Sequence, residues 1–156
     1  MRALAATPVP VPTMHVLCED ESVIGRAFYL MAFETGRVLW DQALPDLSRD
    51  DRSAIYWAMN QTLCALHTVD INRVGLQDYG RPGNYFERQI NRWSKQYTAS
   101  VTTELPAMDA LMAWLPNNLP ATALDPSLVS IVHGDYRLDN LIFHPAKNEV
   151  LAILDW

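Results

Sequence analysis

An α+β fold is the expectation from three features of the sequence. Short apolar or β-branched runs stand near the front, at 14–18 and 27–33. Three segments with helical spacing of apolar residues fill the middle. A polar loop, two apolar runs and an intervening turn close the sequence. Bulk properties permit such a fold. The 156 residues are 49% apolar and 19% charged, so a core can form and wholesale disorder is excluded. The net charge of -6 has the wrong sign for a binder of nucleic-acid backbones. No apolar run reaches the length of a membrane span, so no membrane partner is expected. The first twelve residues hold one arginine and three prolines, not a signal-peptide centre. Cys18 and Cys64 lie far apart without a CxxC pattern, which reads as two reduced thiols in a cytoplasmic protein.

Each element follows from local pattern. Prolines alternate with small residues over 7–12, which predicts an extended lead-in to a strand. A strand is expected over 14–18, and Glu19-Asp20-Glu21-Ser22 reads as a solvated acidic turn. The continuous apolar run 27–33 predicts a buried strand, stopped by a turn at Glu34-Thr35-Gly36. Residues 37–40 are a further short strand. Ser48 with Asp51 is close to a capping box, and Ile55, Met59, Leu63 and Leu66 recur behind it, so a helix is expected over 48–68. A loop follows over 75–83, centred on Gly80-Arg81-Pro82-Gly83. Phe86, Ile90, Trp93 and Tyr97 stripe a second helix. Met108, Leu111, Met112 and Leu115 stripe a third, ended by Pro116-Asn117-Asn118. Both stripes are expected in the core. A strand over 128–132 then leads into a polar loop and a hairpin of 141–143 with 150–154.

The chemistry is concentrated in His133-Gly134-Asp135-Tyr136-Arg137-Leu138-Asp139-Asn140. Its spacing, H-x-D-x-x-x-x-N, is that of a kinase catalytic loop. Phosphoryl transfer is mostly positioning and charge stabilisation. One carboxylate orients an attacking hydroxyl and takes its proton, and a nearby amide oxygen helps hold magnesium. Asp135 and Asn140 on one tight loop can face the same small volume. The hairpin supplies a second metal ligand. A turn centred on Lys147-Asn148 without a bulge sets Phe143 opposite Ala152 and Asn140 opposite Asp155, roughly 5 Å apart at Cα. Two oxygen ligands from the protein suit magnesium, which takes the rest from phosphates and water.

The loop, followed by Ile153-Leu154-Asp155-Trp156, resembles the aminoglycoside phosphotransferase and choline kinase group, small-molecule kinases of the protein-kinase-like fold. The run from Phe28 to Gly36 resembles the last strand and hinge of their N-lobe. Leu63-Cys64-Ala65-Leu66-His67-Thr68-Val69-Asp70 resembles the end of the helix that follows. Gly80-Arg81-Pro82-Gly83-Asn84-Tyr85, with Gln89 and Arg92-Trp93, resembles the branch associated with acyl-CoA dehydrogenases. The resemblance implies a partial N-lobe sheet and hinge strand over 1–33, then a partial helical C-lobe with catalytic loop and β-hairpin over 34–156. It implies an ATP- and magnesium-dependent phosphotransferase acting on the hydroxyl of a small molecule. Asp135 is then the catalytic base, His133 braces the loop, and Arg137 approaches a phosphate or the substrate. Asn140 and Asp155 hold magnesium, and the backbone of Met31, Ala32 and Phe33 meets the adenine edge.

The sequence departs from that pattern at both ends. About twenty-six residues precede the hinge strand, without a glycine-rich phosphate loop or a lysine, and the sequence stops one residue after Asp155. The expectation is therefore the middle of a kinase, with weak nucleotide binding, poor turnover and association through core left exposed. Two competing readings are a catalytically inactive fragment acting only as a binding or complementing piece, and a metal-dependent hydrolase built on His133, Asp135 and His144. Plain structural readings cover the rest. Asp139 is a hydrogen-bond partner, His67 a helix-end residue, His144 an exposed turn residue and Gly36 a simple turn. Arg88 and Arg92 form a surface pair. Aminoglycoside, choline, homoserine and hydroxyacyl substrates are not separated, though the branch favours a metabolic hydroxyl.

Overall fold

Residues 1–80, 83–125 and 127–156 are described by the computed structural model. They divide into two units, Met1–Leu76 with Ser130–Trp156, and Gln77–Val129. The loop centre read at 80–83 falls partly outside the described residues, at Arg81 and Pro82.

In the first unit the proline-rich segment is more than a lead-in. Proline cannot donate to a ladder, but its carbonyl can accept, and Pro10 takes the amide of Ile153 at 3.0 Å. Leu4, Val9 and Pro12 are buried there. Strands β1 (Met14–Cys18) and β2 (Phe28–Met31) then pair antiparallel as a two-stranded ribbon, with Leu17 opposite Tyr29. The burial expected for 27–33 is not found: Leu30 is 53% and Phe33 91% exposed. An apolar run signals a buried strand only where a second layer covers it, and no such layer lies over this ribbon among the described residues.

Strand β3 (Arg37–Val38) belongs to another sheet. It pairs with β4 (Leu141–Phe143), which pairs with β5 (Val150–Ile153), giving the antiparallel order β3-β4-β5. Gly36 is more than a turn residue. A Cβ at this position would lie 2.3 Å from the Phe143 carbonyl oxygen and 2.4 Å from Ile142 Cγ2, so only glycine lets β3 approach β4. Arg37 then clamps the hairpin turn. Its Nε donates to the His144 carbonyl at 2.9 Å, and one Nη donates to the Lys147 carbonyl at 2.7 Å and to Asn148 Oδ1 at 3.3 Å.

The hairpin register differs from the expected one. Phe143 faces Val150, while Ile142 faces Ala152 and Leu141 faces Ile153. The His144 amide closes the turn on the Glu149 carbonyl at 2.8 Å. The turn is thus centred one residue earlier than Lys147-Asn148, and a bulge at Leu151 returns half of that shift. Asn140 consequently faces Leu154, whose amide it accepts at 2.9 Å, and not Asp155. The strand expected over 128–132 is also absent. Ile131 is buried, but its backbone enters no ladder. Its β-branched composition reflects burial of a side chain, not pairing.

Helix α1 (Arg49–His67) starts at the predicted cap. Ser48 Oγ accepts the Asp51 amide at 3.0 Å and donates to the Asp51 carboxylate at 2.7 Å. Asn148 Nδ2 also donates to that carboxylate at 3.1 Å, joining the helix start to the hairpin turn. Hydrogen bonds from Ser48 and then Asn148 hold the Asp51 carboxyl below the usual carboxylate range. Ile55 and Leu66 are fully buried against Leu138, Leu141, Phe143 and Ile153. Tyr136 packs beside them and donates its hydroxyl to the Met59 carbonyl at 2.7 Å.

The second unit carries α2 (Tyr85–Ser100) and α3 (Pro106–Trp114), with 3-10 turns at Leu115–Asn117 and Ala121–Leu124. Both helices form where the stripes predicted them, but no residue of either is buried. Phe86 and Trp93, expected in the core, are more than half exposed. Periodicity fixes which face is apolar but does not supply its cover. Among the described residues, no helix is long and apolar enough to cross a membrane.

Two stability outcomes follow. Gly36→Ala forces backbone atoms of β4 aside and is expected to cost about 1–3 kcal/mol, read as a lower urea midpoint with an unchanged m-value. Burial pushes the Tyr136 phenol up to about 12. Ionisation is therefore easier in the unfolded chain, where tyrosine titrates near 10. The Tyr136 contribution is complete below about pH 10 and is lost as pH rises toward 12. Urea melts from pH 8 to 12 should show this decline in the native sequence and a shallower one in Tyr136→Phe.

Candidate active site

The loop between Ile131 and β4 is built by three local devices. Gly134 has φ +92°, a left-handed backbone that favours glycine, and it reverses the chain just before Asp135. Leu138 is fully buried and fastens the middle of the loop to the core. A 3-10 turn at Leu138–Asn140 then delivers the chain to β4, with the Asn140 amide donating to the Arg137 carbonyl at 3.1 Å.

These devices gather four polar side chains. Asn140 Nδ2 donates to the Asp135 carbonyl at 2.8 Å and to Asp135 Oδ2 at 3.1 Å. With the amide nitrogen directed at Asp135, the side-chain oxygen of Asn140 is the donor atom left for a cation. Arg137 Nε lies 3.4 Å from Asp135 Oδ1, and its Nη2 donates to Asp139 Oδ2 at 2.5 Å. Asp135 and Arg137 are each 55% exposed at the side chain, open to an incoming molecule, whereas Asp139 is 13% exposed.

His133 is held on both ring nitrogens. Nδ1 accepts the Asp135 amide at 3.3 Å, so Nε2 carries the proton and donates to the Leu154 carbonyl at 2.7 Å. The ring also meets Trp156 edge-on, with centroids 4.9 Å apart. His144 is committed elsewhere. Its Nδ1 accepts the amides of Ala146 and Lys147 at 3.0 and 3.1 Å, so it caps the hairpin turn. No group of three or more His, Cys, Asp or Glu side chains is gathered for a metal among the described residues. The hydrolase reading on His133, Asp135 and His144 therefore has no site to rest on.

Asp155 is exposed and follows Leu154 directly. Its φ is +60°, so the chain leaves the β5 ladder at this carboxylate by a left-handed step. Met31 ends β2 and Ala32 and Phe33 follow it outside the ribbon, with the Ala32 amide donating to the Thr13 carbonyl at 2.8 Å. Gln42 carries no sequence signal of its own. It lies in the segment between β3 and α1, and its Nε2 donates to Asp139 Oδ1 at 3.2 Å. No motif marks it, because the contact spans 97 residues.

A carboxylate residue kept in a left-handed backbone contributes strain and not stability. Asp155→Gly removes the Cβ conflict and is expected to raise stability by about 1 kcal/mol, with Asp155→Ala lower than Asp155→Gly. Thermal melts of the three chains check this order.

The phosphotransferase enzyme family (APH) matches residues 1–156. Curated relatives include acyl-CoA dehydrogenase family member 10 of Mus musculus, 51% identical over all of this chain and 14% of its own length. The Arabidopsis thaliana protein named probable acyl-CoA dehydrogenase IBR3 is 46% identical over all of this chain and 20% of its own. A crystal structure from Ralstonia eutropha, named provisionally as an aminoglycoside phosphotransferase, is 63% identical with a TM-score of 0.91. It is matched over 99% of this chain and 46% of its own. The chain thus spans a fifth or less of these two curated relatives and under half of the solved structure. The α+β expectation, the family resemblance and the branch resemblance are all met, and the chain belongs to the phosphotransferase enzyme family.

Proposed function

We propose that the chain carries the acceptor and metal side of an ATP- and magnesium-dependent phosphotransferase site acting on the hydroxyl of a small molecule. The observation that carries this reading is the pairing of Asn140 with both the carbonyl and the carboxylate of Asp135, on a loop joined through Leu154 to the strand end bearing Asp155. Asp135, exposed and oriented from one side by Asn140, accepts the proton of the attacking hydroxyl. The Asn140 amide oxygen and the Asp155 carboxylate are hard oxygen donors, and that donor set fits magnesium. When bound, the ion supplies charge neutralisation on the phosphates. His133 fixes the loop start against Leu154. Arg137 stands at the same opening with donors suited to a phosphate. Backbone of Met31, Ala32 and Phe33 meets the adenine. Relatives named acyl-CoA dehydrogenases favour a metabolic hydroxyl over an antibiotic as the acceptor.

A second reading is favoured by the exposed apolar ribbon, where Leu17, Tyr29, Leu30 and Phe33 are all open. Here the chain is a complementing piece without turnover by itself. Calorimetric titration with magnesium-ATP, with Asp155→Ala as control, separates the two. Saturable binding that needs magnesium and is lost in Asp155→Ala is the expected result for the phosphotransferase site. A folded chain that binds nothing would exclude that site as self-sufficient and leave the complementing piece.

A further inference from the structure

Asp139 sits in the 3-10 turn beside Asn140, and its carboxylate is nearly covered, with 13% of the side chain exposed. Both of its oxygens are engaged. Oδ1 accepts from Gln42 Nε2 at 3.2 Å, and Oδ2 accepts from Arg137 Nη2 at 2.5 Å. The same guanidinium reaches Asp135 Oδ1 at 3.4 Å through Nε. One cation is therefore shared unequally between two carboxylates, and the more buried one holds it closer. Attraction is stronger where solvent screens less, which explains the order.

Gln42 is itself pinned. Its carbonyl accepts the Tyr56 hydroxyl at 2.6 Å, and its amide oxygen faces the Leu138 amide at 3.5 Å. Two residues on, Leu44 is buried in the core. Tyr56, Gln42, Asp139, Arg137 and Asp135 thus form one chain of contacts from helix α1 to the exposed carboxylate.

We infer that Asp139 is a positioning residue, acting through Arg137 to keep the Asp135 carboxylate open. A guanidinium released from Asp139 would close on its other neighbour with two parallel hydrogen bonds, the preferred geometry of such pairs. Asp135 Oδ2 already receives Asn140. A full fork from Arg137 would occupy the lone pairs that an acceptor hydroxyl needs. By drawing Arg137 toward itself, Asp139 leaves Asp135 oriented but available. This inference rests on the proposal that Asp135 is the base, but the contact chain is measurable without turnover.

The test is carbon-detected NMR of the full chain at one fixed neutral pH, reading the side-chain carboxyl carbon of Asp135. In Asp139→Asn that signal should move by more than the spread of the other exposed aspartates. In the Arg137→Gln background the same substitution should leave the signal where Arg137→Gln alone puts it. An Asp135 signal unmoved by Asp139→Asn, or moved equally without Arg137, overturns the inference. Should Asp139→Asn fail to fold, Gln42→Ala loosens the same carboxylate and must give a smaller displacement that also vanishes in Arg137→Gln. The magnesium-ATP titration is read on the same samples. Coupled signals without nucleotide binding would exclude a self-sufficient phosphotransferase site and keep the contact chain, and binding without coupling would do the reverse.

Discussion

Both backbone polar groups of Leu154 are given to the loop that precedes the hairpin. Its amide donates to the Asn140 carbonyl at 2.9 Å, and its carbonyl accepts His133 Nε2 at 2.7 Å. One residue thereby ties the first and last residues of the 133–140 loop to the strand end that leads into Asp155. Loop, hairpin and carboxylate are separate in sequence and have no local reason to meet. The Leu154 contacts make their relative placement a matter of fixed hydrogen-bond lengths. A buried or half-buried hydrogen bond contributes only about 1 kcal/mol net, so these two act as geometric constraints more than as sources of stability.

The stability comes from beneath. Leu138, Leu141, Phe143 and Ile153 are fully buried against Ile55 and Leu66 of α1. Full burial of each such side chain is worth about 1.5–3 kcal/mol. The loop and the hairpin can therefore hold Asp135, Arg137 and Asp155 in solvent while their apolar members anchor them. Arg37 and Gly36 serve the same end from β3. Glycine allows the close strand contact, and the guanidinium satisfies the carbonyls of a turn that the ladder leaves open.

Burial is distributed unequally between the units. The core cluster lies wholly within Met1–Leu76 and Ser130–Trp156, while α2 and α3 bury no residue. The apolar stripes of those helices and of β2 are the features most at odds with a free surface. The solved relative continues well beyond the region matched here. Periodicity marks which face of an element is apolar, and it does not supply the layer that covers that face.

Sequence by itself determined the local elements whose signals are local. The Ser48 cap with its reciprocal Asp51 contact, the α1 stripe through Ile55 and Leu66, and the H-x-D-x-x-x-x-N spacing each depend on residues within about three turns of one another. The family also followed from such short-range strings. Tertiary structure decided the hairpin register, whose turn is held by Arg37 from more than 100 residues away in sequence and whose bulge at Leu151 has no local signal. It alone decided that Asn140 faces Leu154, that 128–132 enters no ladder, and that Asp139 shares Arg137 with Asp135 under the hold of Gln42. Hydrogen-bond partners and burial are properties of what arrives from elsewhere in the chain. Residue spacing carries the periodicity of an element but not the identity of its neighbours.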